Sequence, residues 1–224
     1  MCGRFAQQRP AADLADRFAA EVIVDDPGPR YNVAPTTDAL VVVQRDDRRA
    51  VTAYRWGLVP HWATSLSAGT RAFNARAETV ATSPMFRDAF RRRRCLVPVE
   101  AFYEWRRDGK LRRPHAIRRA DGDVLALAGL WSGWRDPETE QVTRTFTIVT
   151  TAANDAIAEL HDRMPVILPE EDWATWLQPA GAEPARLRAL LEPREGLPLE
   201  LFEVSRRVND ARNEGPELLV PLAD

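Results

Sequence analysis

Between residues 95 and 130 the chain carries a succession of β-forming runs: Cys95 to Val99, Ala101 to Arg106, His115 to Arg119 and Val124 to Leu130. Asp108-Gly109 and Asp121-Gly122 stand between them, and Asp-Gly supplies the positive φ angles of a tight hairpin turn. The spacing predicts an antiparallel meander against which the remaining elements must pack. Leu40 to Val43 and Val51 to Trp56, joined by the polar Arg45 to Arg49 turn, predict a further hairpin, and Phe146 to Thr150 adds a strand.

Helical signals lie on either side of these runs. Pro10 suits a first helical position, and Leu14 and Phe18 share one face four residues apart. Asp25-Asp26-Pro27-Gly28-Pro29 cannot continue that helix and reads as a loop. Ser83 is expected to cap a helix that begins at Pro84 and runs through Met85, Phe86 and Phe90 into Arg91 to Arg94, whose charge suits a helix C-terminus. Asn154 to about His161 predicts a short helix ended by Asp162-Arg163-Met164-Pro165. Pro169 opens a helix with an acidic first turn that buries Trp173, Trp176 and Leu177; Pro184 opens another carrying Leu187, Leu190 and Leu191. With 224 residues, 45% of them hydrophobic, one domain spanning 1–224 is expected.

Several classes of function are excluded early. No apolar stretch reaches the length of a membrane span, and the start lacks the pattern of a secretion signal, so a cytoplasmic location is expected. Two cysteines, Cys2 and Cys95, and three histidines without a C-x-x-C give neither a zinc site nor a disulfide framework. No Walker motif and no G-x-G-x-x-G is present, and neither metal nor cofactor is expected.

Candidate chemistry begins at Cys2. If Met1 is removed, the terminus carries an amine and a thiol on adjacent carbons; the amine can condense with an aldehyde and the thiol can then close a thiazolidine ring. An α-amine has a pKa near 7.7 to 8.0, well below that of lysine, so more of it is nucleophilic at neutral pH. Lys110 is the single lysine among 31 Lys and Arg residues, in a turn, which makes the amino terminus the better amine. The alternative is that Cys2 is a small buried hydrophobe.

Other residues carry paired readings. Glu104 alternates onto the face of Phe102, where burial among aromatics would raise its pKa, or else it faces solvent. His161, at a helix end beside Asp162, is either a proton carrier or a hydrogen-bonded structural residue. Asn74, Arg76 and Glu78 share one side of an extended chain, which is either solvent or a site. Trp62, on the Trp56 to Trp62 loop, is core or a stacking surface for a base. The arginines at 91 to 94 and at 106, 107, 112, 113, 118 and 119 contact phosphates or form a solvated basic face.

Taken in order, Met1-Cys2-Gly3-Arg4-Phe5, Tyr31-Asn32-Val33-Ala34-Pro35, Trp56-Gly57-Leu58-Val59-Pro60, Asn74-Ala75-Arg76-Ala77-Glu78-Thr79, Phe102-Tyr103-Glu104-Trp105, His161-Asp162-Arg163-Met164-Pro165 and Val204-Ser205-Arg206 resemble the SOS-response-associated peptidase (SRAP) family. The resemblance runs almost end to end; Ala101 departs from the glycine of many relatives. It implies an α+β domain around a curved, mainly antiparallel, barrel-like sheet with flanking helices, and a DNA groove leading to the N-terminal cysteine. It also implies capture of abasic sites in single-stranded DNA as a thiazolidine crosslink, by a protein expected to be a monomer and to associate with the nucleoid when bound to DNA. Cys2 is then the nucleophile, with Asn74, Glu104 and His161 forming its pocket. Arg4, Asn32, Arg76, Thr150 and Arg163 match DNA-binding positions, and Pro35, Trp62 and Met85 match residues near the bases. Two other readings stay open: a thiol peptidase or amidase with Cys2 as N-terminal nucleophile, and a non-covalent single-strand binding module.

Overall fold

The structure is a computed structural model that describes residues 2–109, 111–179 and 183–222. Met1 and Lys110, on which expectations fell, lie outside the described residues. The chain forms β1 (Phe5–Gln7), α1 (Ala11–Phe18), β2 (Ala20–Val22), β3 (Arg30–Val33), β4 (Asp38–Arg45), β5 (Arg48–Trp56), β6 (Asn74–Arg76), α2 (Arg87–Arg92), β7 (Arg94–Val99), β8 (Ala101–Asp108) and β9 (Leu111–Arg119). It continues through β10 (Leu125–Arg135), β11 (Val142–Ala152), α3 (Asp155–Ala158), β12 (Arg163–Pro165), α4 (Glu170–Leu177), α5 (Pro184–Ala189) and β13 (Leu199–Glu203). No helix among the described residues is long and apolar enough to cross a membrane.

Strands β5, β4, β7, β10 and β11 close into a barrel, because β11 returns to pair in parallel with β5 at Thr145↔Arg55 and Phe146↔Trp56. A separate five-stranded sheet has the order β13-β9-β8-β1-β3. Its inner face shares a core with one end of the barrel, where Phe5, Phe102 and Ile117 meet Trp56, Phe146 and Ile148. The Phe5 and Trp56 rings lie 4.8 Å apart, centroid to centroid, and Trp56 stacks on Phe146 at 6.2 Å. Leu14, Phe18, Trp173, Trp176 and Leu187 from α1, α4 and α5 cover the outside of the barrel. The fold is α+β, with a curved and mainly antiparallel sheet.

The four runs between 95 and 130 are strands, but they do not form a meander. β7 pairs with β4 and β10, whereas β8 pairs with β1 and β9. The chain leaves the barrel at Glu100, whose carboxylate accepts from the backbone N–H groups of Gln8 and Arg9. Gln7 holds the junction: buried, it donates to the carbonyls of Leu40 and Pro98 and accepts from the N–H of Leu40. Pro98 has no N–H to continue a ladder, so the glutamine amide supplies what the departing strand cannot. Asp108-Gly109 does turn the β8–β9 hairpin, with Asp108 opposite Leu111 and Gly109 at φ +57°. Asp121-Gly122 instead carries the chain from one sheet to the other.

The remaining expectations are met with small shifts. The β4–β5 hairpin forms with Arg45 opposite Arg48. Pro10 stands one residue before α1, and Leu14 donates to its carbonyl. The segment from Ser83 to Phe86 is a turn rather than the first turn of α2: Ser83 accepts from the N–H groups of Phe86 and Arg87 through its backbone carbonyl, not as a side-chain cap.

Gly57 ends β5 at φ +124°, and a Cβ placed there would lie 2.5 Å from the carbonyl oxygen of Gly69. This backbone contact presses the loop that carries Trp62 onto the short helix Leu66–Arg71. Gly57→Ala is expected to cost roughly 2 kcal/mol or more, combining a strained φ with a backbone clash. Urea unfolding measures it, and an unchanged midpoint would show that the loop moves away freely.

Candidate nucleic-acid and catalytic site

Cys2 lies just ahead of β1, fully buried. Asn74, the first residue of β6, donates its amide to the Cys2 carbonyl at 2.6 Å. The β6 strand holds Asn74 in place by pairing in parallel with β11, Asn74 opposite Ile148. Glu104 sits on β8, on the inward face with Phe102, and is 2% exposed. Of the two readings the sequence left open, the buried one is therefore the one found.

Burial pushes the Glu104 carboxyl above its ordinary value, partly countered by the charge of His161. The Cys2 thiol is pushed up as well, first by burial and then by the Glu104 charge. These effects place Cys2, Glu104 and His161 within electrostatic reach of one another. His161 follows α3, with its Nδ1 2.7 Å from Asp162 Oδ1 and 2.9 Å from the N–H of Arg163. One ring nitrogen cannot serve both partners in one state: neutral, it accepts from Arg163, and protonated, it donates to Asp162.

The other expected DNA-binding residues are placed by different parts of the fold. Arg76, at the end of β6, is exposed, and its backbone pairs with that of Thr150. Arg163 opens β12, donates to both carboxylate oxygens of Glu78, and donates to the Thr150 carbonyl at 2.6 Å. Glu78 is held below the usual carboxylate range by that arginine. Trp62 is 56% exposed on its loop, and with the half-buried Met85 it lines one narrow crevice. Pro35 is half-buried in a turn whose next residue, Thr36, is held at φ +72°, unusual for a β-branched side chain.

Two of the expected DNA-binding residues lie beneath the surface. Asn32 is fully buried: its amide nitrogen donates to the carbonyls of Val208, Asp210 and Asn213, and its oxygen accepts from Arg4. Thr150 is also fully buried and meets Arg163 through its carbonyl. Both act as supports for arginines. Sequence reading passed over Glu78 as a partner of Arg163; the alternation of Asn74, Arg76 and Glu78 was the available signal.

Several buried polar atoms here have no hydrogen-bond partner among the described residues: Asn74 Oδ1, Arg4 Nε and Arg163 Nε. The arrangement offers a buried cysteine at position 2, a carboxyl that burial shifts upward, an imidazole and nearby arginines.

Comparison with known proteins identifies the family. An abasic site processing protein of Bacillus subtilis, YoqW, is 37% identical over 222 residues, covering 98% of this chain and 99% of its own. YedK of Escherichia coli, another abasic site processing protein, is 34% identical over 233 residues, covering 99% and 100%. The crystal structure of a protein from Bacteroides thetaiotaomicron superposes with a TM-score of 0.87 at 25% identity, covering 99% of this chain and 100% of the other. Residues 1–211 match the family model described as SOS response associated peptidase (SRAP). On its fold, its motifs and this match over nearly the whole length, the chain belongs to the SRAP family.

Proposed function

We propose that the protein captures abasic sites in single-stranded DNA through Cys2, after Met1 has been removed. The observation that carries this reading is the position of Cys2, the second residue, its carbonyl held by the Asn74 amide and its thiol within electrostatic reach of the buried Glu104. The relatives YoqW and YedK, named abasic site processing proteins, support the lesion class.

The chemistry balances without an oxidant. An abasic deoxyribose is mostly a closed hemiacetal, and His161 transfers the proton that opens it to the C1′ aldehyde. The Cys2 α-amine adds to C1′, and Glu104, whose carboxyl burial shifts toward the protonated form, gives a proton to the departing hydroxyl so that water leaves and an imine forms. The thiol then adds to the imine carbon while its proton passes to nitrogen, closing the thiazolidine. Asn74 orients the residue throughout, and its unpaired Oδ1 is available to the freed amine or a sugar hydroxyl.

The raised thiol pKa favours this order of events. A peptidase needs a thiolate, and here burial opposes one. An amine-first route needs no thiolate at the first step. Arg76 and Arg163 contact the DNA backbone, Arg163 exchanging Glu78 for a phosphate, and Arg4, held by Asn32, adds a further charge. Trp62, Pro35 and Met85 meet the bases.

The test is a denaturing gel of the protein with a single strand carrying one abasic site, paired with an intact mass. A crosslinked band from protein lacking Met1 is expected, since an amide nitrogen cannot form an imine. Full crosslinking by protein that retains Met1 would end the proposal. Trp62→Ala is expected to weaken binding to intact single strands by about 5- to 150-fold, the worth of one stacked base at roughly 1–3 kcal/mol. Fluorescence anisotropy at fixed salt reads it, and unchanged affinity would remove Trp62 from the interface.

A further inference from the structure

The barrel has a second mouth, and the reading above does not use it. Arg144, Phe146, Ile148 and Thr150 alternate onto one face of β11, the face turned into the barrel. Thr150 lies at the Cys2 end; Arg144 lies six residues back, roughly 20 Å away along the strand. At the Cys2 end the five-stranded sheet closes the barrel. At the Arg144 end a cavity of about 480 Å³ remains open, within the usual size range of small-molecule sites.

The lining of this cavity is unusual in what it leaves unpaired. Arg45, Arg92 and Arg144 converge on it, and among the described residues none of them has a carboxylate partner. Asp46 is the single acidic residue of the lining. Arg94 provides the contrast: its guanidinium is consumed by the carbonyls of Phe90, Arg91, Trp176 and Gln178, so it is structural. Tyr54 forms part of the wall and is 6% exposed, yet its hydroxyl has no hydrogen-bond partner among the described residues. The Tyr54 ring lies 5.6 Å from that of Trp131, which also lines the cavity and whose indole N–H is likewise without a partner among the described residues. Arg144 and Arg45 both bear electrostatically on the Tyr54 hydroxyl.

We infer that this far mouth is a second binding site, for a nucleotide-class phosphate: Arg45, Arg92 and Arg144 take the phosphate oxygens, Tyr54 donates to one of them, and Trp131 lies against the base. Convergent guanidinium groups with a neutral donor between them form a donor set suited to an oxyanion. The Tyr54 hydroxyl, on the wall of the open cavity and without a protein partner among the described residues, is a donor such an anion can use. The phosphate has two possible sources, a free mononucleotide or the backbone of a strand that continues around the barrel.

The test follows the indole N–H resonance of Trp131, assigned with Trp131→Phe, in a two-dimensional NMR titration with dAMP, deoxyadenosine and a short lesion-free single strand. A saturable shift with dAMP but not with deoxyadenosine is expected. Arg45→Gln with Arg144→Gln, at exposed positions where folding is not at stake, should weaken it about tenfold or more, the worth of a charge-assisted hydrogen bond. Tyr54→Phe should weaken it further, while crosslinking at Cys2 stays unchanged in each variant. If the single strand shifts Trp131 and loses affinity in the arginine variant, the phosphate is that of DNA; if only dAMP does so, it is a free nucleotide. No saturable shift at millimolar concentrations of either phosphate probe, or a shift with undiminished affinity in the arginine variant, overturns the inference.

Discussion

Cys2→Ser is expected to eliminate the heat-stable adduct while leaving an imine that borohydride traps. Serine keeps the α-amine, so attack on the abasic aldehyde proceeds, but oxygen closes the corresponding ring less stably than sulfur. The untrapped product should dissociate on denaturation and heating, and the open imine permits strand cleavage by β-elimination. In the wild type the thiazolidine masks the imine and both outcomes are suppressed. Cys2→Ala should behave like the serine variant, and both should bind intact single strands as the wild type does. A heat-stable adduct from Cys2→Ser without borohydride would show that sulfur is dispensable and would move attention to Lys110.

Glu104→Gln should slow adduct formation by about 10²- to 10⁴-fold, the usual worth of a positioned general acid or base, with little change in binding to undamaged strands. Equal losses in rate and affinity would make Glu104 structural. A second measurement isolates its ionisation. The carboxyl is shifted upward from 4.5 because burial disfavours the charged form. As pH rises from that value through the raised one, the folded protein keeps a proton that the unfolded chain has lost, so stability falls across the window. Glutamine cannot ionise, so the stability of Glu104→Gln relative to wild type should be greater at pH 7 than at pH 4. Thermal melts at the two values read the difference, and a relative stability that does not change with pH would show that the carboxyl titrates as it does in water.

That Glu104 shares a face with Phe102 was legible from the sequence because alternation is a local property, whereas its burial depends on partners elsewhere in the chain. Partner choice was not. The runs at 95–99 and 101–106 announce strands, but only Gln7 and Glu100, by spending their side chains on backbone groups at the junction, decide that these strands belong to different sheets. Strands of three residues, such as β1, β6 and β12, are too short to show a period, yet they dock the N-terminal segment, Asn74 and Arg163. Asn32 shows the same limit at one residue: nothing local in Tyr31-Asn32-Val33 says that its amide will be consumed by carbonyls some 180 positions later.

That last contact bears on when the protein can act. Arg4 donates to the Val208 carbonyl across 204 positions, and Asn32 ties both to the segment that follows. During synthesis the amino terminus leaves the ribosome first, while its supports are among the last parts to be made. A nascent chain with a trimmed terminus therefore carries the reactive amine and thiol before the architecture that seats them exists. Damage capture in the proposed manner is a property of the finished molecule, and a message broken before codon 208 yields a reagent without a site.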